Sequence, residues 1–383
     1  MRGRTTATLA LLLALTGCAG TDEPDGPDPG HDASHDASHD PSHDPAHTET
    51  PSSTDEPADL PSGGPVDDPV EVEPASAPLD WQDTGVEAGT RYVKGPEWEA
   101  LGDAGDTTVE LARDGKAVTV TAGRGRTISE VLMSEEWAVV VRQDEAETAP
   151  SKVAVVDLTT GETGEVATPP AASGGSWALT AGDLRFPTYG DGGAYCLATA
   201  ALADDNGEDG WCAPDRSGFS GLTASEHGVG MMTFDDARPV ACRTANLLDD
   251  SGVPQPLEGP DDCTAWDVAA TADGAVWSEV PRPRRQEEAR FHASADGTYF
   301  DLGPGTTGTA VPCGDSVFFV RDPQSPDEPA RLMRWTPQRT LEVAYESPST
   351  GNAFLGEPTC GGGVLTLASY GEKGDQHVWA NVS

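Results

Sequence analysis

The strongest constraint on the fold of this chain is a repeat with a period of 42 to 47 residues. Each unit opens with a small or polar turn that leads into a short apolar strand, and two further strands follow. No stretch repeats apolar residues at the helical period, so the pattern predicts strands throughout. The unit openings are MSEEWAVVV from Met133, TAGDLRFPT from Thr180, ASEHGVGMM from Ala224, TADGAVWSE from Thr271, CGDSVFFVR from Cys313 and CGGGVLTLA from Cys360.

Units of this length with four short strands are typical of a β-propeller, in which blades stack because one sheet cannot bury both of its faces alone. The sequence therefore predicts an all-β fold. The last unit has only two strands before the chain ends, and we expect the segment LDWQD at residues 79–83 to complete it. This closure gives seven blades; six is the alternative if the first unit only completes the last.

The phrase VAVVDLTTGE from Val153 resembles the repeats of TolB, YVTN and quinoprotein-like propellers of bacterial exported proteins. The resemblance covers most of residues 79–383, but it is one of pattern. The chain lacks the Trp-Asp ends of WD40 repeats, the tryptophan pattern of quinoproteins and the aspartate box of sialidases. The resemblance therefore implies a fold and assigns no site.

The N-terminus, MRGRTTATLALLLALTGC, has two arginines, an apolar run and small residues before Cys18. Leu15, Thr16, Gly17 and Cys18 resemble the lipobox of bacterial lipoproteins, in which the cysteine is diacylated and the chain is cut just before it. The resemblance implies a signal peptide at residues 1–17 and lipidation of Cys18. Two acyl chains suffice for stable anchoring, so we expect an extracytoplasmic protein tethered to the cell membrane.

Residues 18–78 are predicted to be a disordered acidic tether, and residues 79–383 the propeller domain. The tether is rich in Pro, Asp, Ser and His and has no aromatic residue, so it cannot bury enough apolar surface to offset its ordering entropy. The formal net charge of the whole chain is -42. A polyanion of this kind is repelled by nucleic acid, so nucleic acid is not an expected ligand. We expect the protein to be a monomer and its partner to be an unidentified protein or glycan.

The tether contains HDASHDASHDPSHDPAH, which repeats histidine at every fourth residue. Pro41 and Pro45 forbid the helix that would align the imidazoles on one face. Two interpretations stay open: a low-complexity spacer, or weak capture of Zn²⁺ or another divalent metal at several sites. The candidate metal ligands are His31, His35, His39, His43 and His47.

The six cysteines after Cys18 are an even number in a chain expected to be exported, so they are predicted to form disulfides. Positions in the repeat favour Cys196 with Cys212 and Cys242 with Cys263, each within one blade. Cys313 and Cys360 occupy equivalent positions in adjacent blades, and their pairing follows by elimination.

Other motifs carry weaker hypotheses. DDNGEDG from Asp204 offers oxygen ligands for Ca²⁺ but departs from EF-hand spacing, and a solvated hairpin tip is the favoured interpretation. Arg282, Arg284 and Arg285 could contact an anionic ligand, although Glu287 and Glu288 partly offset their charge. His227, His292 and His377 are isolated in the sequence, and no hydrolase, zincin, Walker or dinucleotide motif is present.

These observations favour a lipid-anchored binding or scaffold module for a protein, peptide or glycan, without a resident cofactor. Catalysis is the less favoured interpretation. Its form would be a glycan lyase or hydrolase whose carboxylate, His and Arg side chains converge on the propeller channel. Capture of divalent metal by the tether is the third hypothesis.

Overall fold

The structure is a computed structural model that describes residues 68–204, 206–235 and 241–382. Within these residues the chain forms β-strands and two short 3₁₀ turns, Asp191–Gly193 and Gln286–Glu288. In this described part of the chain, no helix is long and apolar enough to cross a membrane. The prediction of an all-β fold is confirmed.

The strands are numbered here in chain order. Those of the N-terminal half are β1 (Val70–Glu71), β2 (Ala75–Ser76), β3 (Gln82–Asp83), β4 (Tyr92–Lys94), β5 (Glu99–Gly102), β6 (Thr108–Arg113), β7 (Lys116–Thr121), β8 (Arg126–Met133), β9 (Trp137–Asp144), β10 (Lys152–Asp157), β11 (Thr163–Val166), β12 (Ala178–Leu179), β13 (Asp183–Tyr189), β14 (Tyr195–Ala201) and β15 (Asn206–Cys212). Those of the C-terminal half are β16 (Ser217–Ser225), β17 (Gly228–Asp235), β18 (Cys242–Leu248), β19 (Pro254–Pro256), β20 (Ala265–Thr271), β21 (Gly274–Glu279), β22 (Arg290–Ala295), β23 (Thr298–Pro304), β24 (Val311–Cys313), β25 (Ser316–Arg321), β26 (Pro329–Trp335), β27 (Leu341–Thr350), β28 (Phe354–Leu355), β29 (Thr359–Gly361), β30 (Val364–Tyr370) and β31 (Gln376–Asn381).

Consecutive strands pair antiparallel into small sheets. Five sheets stand alone, with the orders β4-β5-β6-β7, β12-β13-β14-β15, β16-β17-β18-β19, β1-β23-β22-β21-β20 and β2-β27-β26-β25-β24. The remaining sheet runs β11-β10-β9-β8-β29-β30-β31-β3, and β28 pairs with β30. It is continuous because Gly361 of β29 bridges Met133 of β8 in parallel.

The central strands β9 and β10 are apolar because both faces of their sheet are covered there. On β9, Val139 and Val141 pack into one core while Ala138 and Val140 pack into another. Side chains alternate across a strand, so one strand serves two cores and joins neighbouring sheets. The turn after β10 contains Gly161 at φ 83°, a conformation that glycine adopts without strain.

The N-terminal segment crosses the outer edges of three sheets. β1 pairs with β23 and β2 with β27, both parallel, and β3 pairs antiparallel with β31. The predicted closure by LDWQD is therefore observed at β3. Strand pairing begins at Val70, so residues 68–78, predicted as the end of a disordered tether, contribute strands to the folded part.

The ring around the axis differs from the prediction. Contacts between first strands run from β8 to β12, β16, β24, β29 and back to β8, so five blades form the ring. β4 packs beside both β29 and β8, and β20 packs on β16, β17 and β18 and also contacts β24 and β25. The predicted count of seven blades, or six, is therefore wrong. The period in the sequence counts four-stranded units, whereas the number of blades in the ring depends on which first strands meet.

Three disulfides connect the strands, and they are the three predicted pairs. Cys196–Cys212 joins β14 to β15, and Cys242–Cys263 joins β18 to the connection before β20. Cys313–Cys360 joins β24 to β29 and so ties two neighbouring strands of the ring.

Candidate functional site

The ring has two ends that differ in chemistry. At the turn end lie the turns from the first to the second strand of each sheet, because antiparallel neighbours reverse there. At the connection end lie the segments that enter each first strand. Side chains with functional chemistry occur at both ends. We call Glu226, His227 and Asp315 the turn-end cluster, and Glu130, Asp267 and Glu357 the connection-end carboxylates.

Glu130 is a half-buried carboxyl on β8, beside a bulge that follows Ile128. Burial raises its pKa to about 8, the charge of Glu357 adds to that rise, and Arg91 opposes it. Within the residues described, neither Glu130 nor Glu357 has a hydrogen bond or an ion pair. A carboxylate in this position is destabilised because it has lost water without gaining a cation.

Arg91 does not neutralise Glu130, because its guanidinium is engaged elsewhere. Nε contacts Asp106 Oδ1 at 3.0 Å. The two terminal nitrogens donate to the carbonyls of Ile128 and Ser129 at 3.1 Å. Arg91 thus fixes the backbone at the bulge, and Glu130 keeps its raised pKa.

Glu357 lies in the connection that enters β29. Burial by surrounding protein raises its pKa, and the charge of Asp267 adds to this, although the residue stays open to water. Its charge acts on Glu130 in turn. Carboxyls from three different segments therefore influence one another at the connection end.

Asp267 on β20 differs because its oxygens are satisfied. Ser278 Oγ donates to Oδ2 at 2.5 Å, and the Gly308 amide donates to both oxygens at 3.0 and 3.1 Å. Its exposed fraction is 8%. Burial raises its pKa to about 6, although the hydrogen bonds act to lower it. Asp267 holds the connection before β24 against β20, which is a structural role.

The turn-end cluster joins two turns that are far apart in the sequence. Glu226 and His227 lie between β16 and β17, and Asp315 lies between β24 and β25. His227 Nε2 is 3.6 Å from Glu226 Oε1 and 3.8 Å from Asp315 Oδ1. A hydrogen bond with Asp315 and the charge of Asp315 raise the pKa of Glu226. The fold therefore places His227, which is isolated in the sequence, beside two carboxyl groups.

The signal that could have revealed this cluster was present in the repeat. ASEHGVGMM and CGDSVFFVR are equivalent openings, and equivalent turns of two ring neighbours lie at the same end of the ring. Sequence reasoning noted the openings as strand starts and did not compare their polar residues. Glu130 and Glu357 carried no such signal, because neither lies in a motif.

A small cavity of about 140 Å³ lies beside β21 and β22, where Pro69 of the N-terminal segment also contributes to the wall. Glu279 accepts hydrogen bonds from Trp277 Nε1 at 2.8 Å and Thr264 Oγ1 at 3.1 Å, and His292 Nε2 is 4.0 Å away. Burial lowers the pKa of His292, and the charge of Glu279 opposes this. The volume is below the roughly 300 Å³ of typical ligand pockets, so the cavity is not our candidate site.

A larger groove of about 370 Å³ runs between β14, β15 and the turn at Asp250. Glu208 and Asp209 of the proposed calcium sequence line it, together with Asp183 and Arg185. Both acidic residues belong to β15, where successive side chains point to opposite faces, and not to one ligand loop. The calcium hypothesis stays a prediction.

The other predicted site residues lie in different places. Arg282, Arg284 and Arg285 lie in the connection between β21 and β22. Arg282 pairs with Glu288, and Arg285 pairs with Glu287 at 3.2 Å. His377 is buried and its ring contacts Tyr92 at 5.3 Å between centroids. Cys18 and the five tether histidines, His31, His35, His39, His43 and His47, lie outside the described residues.

No protein-family model matches the chain, and no curated protein matches its sequence. Among solved structures, the β-propeller domain of the Trilobed protease from Pyrococcus furiosus superposes with a TM-score of 0.54 at 11% identity, over 77% of this chain and 96% of that one. A prolyl endopeptidase superposes with a TM-score of 0.52 at 12% sequence identity, over 76% of this chain and 46% of that one. An oligogalacturonate lyase from Vibrio parahaemolyticus superposes with a TM-score of 0.51 at 11% sequence identity, over 81% of this chain and 99% of that one. At these identities the likeness shows the propeller fold alone.

Proposed function

We propose that this protein is a lipid-anchored, extracytoplasmic β-propeller that binds a protein or peptide partner at the connection end of its ring. The observation that carries the proposal is the pair Glu130 and Glu357, two carboxyls with raised pKa values and no cationic partner among the described residues. The ligand group that fits them is cationic, such as a lysine ammonium or an arginine guanidinium. A glycan without a cation would not satisfy them.

The energetics favour such a ligand. An ammonium about 4 Å from a carboxylate gains about 4 kcal/mol at an effective dielectric constant of ~20. Since the pKa of Glu130 is about 8, the cation must first displace a proton at pH 7. That displacement costs about 1.4 kcal/mol for each pH unit below the pKa, which is smaller than the Coulomb attraction.

The test uses a short peptide with one central lysine and its counterpart with norleucine, titrated calorimetrically into the full chain. We expect the lysine peptide to bind, and the double variant Glu130→Gln with Glu357→Gln to lose that binding. Glu136→Gln is the matched control, because Glu136 is an exposed carboxylate in the turn at the far end of β8. Equal binding of the norleucine peptide, or binding unchanged in the double variant, would contradict the proposal.

The anchor is tested separately. We expect Cys18→Ala to remove incorporation of labelled palmitate and to release the protein from membranes. Retention of the Cys18→Ala protein in the membrane fraction would show that the chain is anchored in another way.

A second candidate function is glycan cleavage with carboxyl catalysts. The connection-end carboxylates include Glu130, whose pKa is raised by burial to about 8, in the range that general acid catalysis needs at neutral pH. Arg91 accompanies them, while the nearest clustered histidine, His227, lies at the opposite end. Assay of the full chain on neutral and acidic oligosaccharides tests this function. Turnover that Glu130→Gln abolishes would establish it.

A third proposal concerns the tether, in which His31, His35, His39, His43 and His47 would capture divalent metal at several sites. Calorimetric titration of Zn²⁺ into the full chain, and into the chain with these histidines changed to serine, tests it. Loss of multi-site binding in the variant supports capture, and identical titrations show that the repeat is a spacer.

A further inference from the structure

The turn-end cluster combines one imidazole with two carboxylates. Among residues 68–204, 206–235 and 241–382, Glu226, His227 and Asp315 form the one group of three such side chains whose ligand atoms all lie within 4.8 Å of one another. An imidazole nitrogen with carboxylate oxygens is a donor set that Zn²⁺ and related divalent metals accept.

The spacing of the ligand atoms fits a metal ion. Ligands about 2.1 Å from a tetrahedral metal lie about 3.4 Å from one another. The observed separations from His227 Nε2 are 3.6 Å to Glu226 and 3.8 Å to Asp315. Small rotations of the exposed carboxylates would close the difference. Three protein ligands leave a fourth position for water or for a donor from a partner.

The turn that bears His227 is held in place. Ser225 Oγ accepts from the His227 amide at 3.1 Å and donates to the Ala270 carbonyl at 3.1 Å. The side chain of His227 is 22% exposed, whereas those of Glu226 and Asp315 are 63% and 66% exposed. The backbone that carries the imidazole is therefore held in place, and the two exposed carboxylates can adjust their positions to an ion.

Arg339, in the turn between β26 and β27, is engaged with other carboxylates. It contacts Asp273 at 3.0 Å and also pairs with Asp296. Glu226 and Asp315 instead contact each other, two acidic groups from separate sheets that a cation would join. We propose that Glu226, His227 and Asp315 form a binding site for one divalent transition-metal ion, with Zn²⁺ as the preferred occupant.

This site is separate from the connection-end carboxylates and does not depend on the proposed peptide binding. It is also separate from the tether, whose histidines could bind metal themselves and must be replaced in the test. The experiment therefore uses the full chain with the five tether histidines changed to serine, and titrates it with Co²⁺, whose visible absorption reports nitrogen and oxygen coordination, and then with competing Zn²⁺.

We expect one equivalent of Co²⁺ to bind and Zn²⁺ to displace it. His227→Gln and Asp315→Asn should each weaken binding at least about tenfold, since even the loss of an outer-sphere partner costs about 10- to 100-fold. Glu135→Gln, an exposed carboxylate in another turn at the same end, is the matched control and should bind as the parent does. Circular dichroism of each variant checks that the fold is kept.

Absence of a one-equivalent absorption change in the parent, up to millimolar Co²⁺, would overturn the proposal. So would binding that His227→Gln and Asp315→Asn leave unchanged, because the metal would then lie elsewhere.

Discussion

The two ends of the ring use the same residue types in opposite ways. At the connection end, carboxyls are surrounded by protein, and burial is the first cause of the raised pKa of Glu130, Asp267 and Glu357. At the turn end, Glu226 is open to water, and its pKa is raised by Asp315 instead. A carboxyl that has lost water fits a cationic group that replaces its proton. Two exposed carboxylates that lie next to each other and next to an imidazole can instead serve as ligands of a metal ion.

The largest expected effect tests the ring that separates these ends. Replacing Cys313 and Cys360 by alanine frees a loop between residues that are 47 apart in sequence, against 16 for Cys196 and Cys212. The chain-entropy estimate gives losses of about 4 and about 3 kcal/mol, respectively. Urea unfolding of the two double variants measures both. A smaller loss for the pair that joins β24 to β29 would show that the ring is not held there.

A smaller effect is expected for Asp267, which holds the connection end together. Asp267→Ala leaves the Gly308 amide and the Ser278 hydroxyl without their acceptor, and we expect the free energy of unfolding to fall by about 2–4 kcal/mol. Glu226→Gln at the turn end should cause no measurable change. If both variants change the free energy of unfolding by the same amount, the two ends do not differ in burial as described.

The pH dependence of stability distinguishes the ends further. Folded Glu130 holds its proton up to about pH 8, whereas an unfolded glutamate releases it near pH ~4.3. The folded state thus binds more protons in this window, and the free energy of unfolding falls as the pH rises through it. We expect Glu130→Gln to reduce this decline by about 2 kcal/mol between pH 5 and pH 8, less than the full ~1.4 kcal/mol per pH unit because water reaches the side chain. Parallel curves for parent and variant would contradict the raised pKa.

The smallest effect is expected at the turn end without metal. Asp315→Asn removes the charge that acts on Glu226, so stability should stay the same or rise slightly at neutral pH. A thermal melt at low ionic strength, repeated in high salt, checks this, since salt screens exposed charges. A clear loss of stability would mean that Asp315 supports the fold.

Much of the fold could be predicted because the repeat acts locally. The hairpin of β10 and β11 follows from the alternating valines around Val155 and from the turn at Gly161. The disulfides follow from equivalent positions in successive units. The number of blades was predicted wrongly because it depends on contacts between strands of different units, such as Gly361 with Met133, and no local pattern encodes them.

The candidate sites were harder to predict for the same reason. Glu130 and Glu357 become unusual only when folding surrounds them with protein and with other carboxyls without supplying a cation. His227 and Asp315 become neighbours only once β16 and β24 lie side by side. The histidine-rich tether attracted attention because its pattern is visible in sequence, whereas the clustered histidine of the described part is a single residue.

The most direct test of this account is the ionisation state of Glu130 in the full chain at pH 7. Infrared difference spectra between the parent and Glu130→Gln report the carbonyl stretch of a protonated carboxyl. The account predicts a protonated Glu130 that loses its proton when the lysine peptide is added. A carboxylate already ionised at pH 5 would contradict it, because Glu130 would then have a cationic or hydrogen-bonding partner and no need of a ligand.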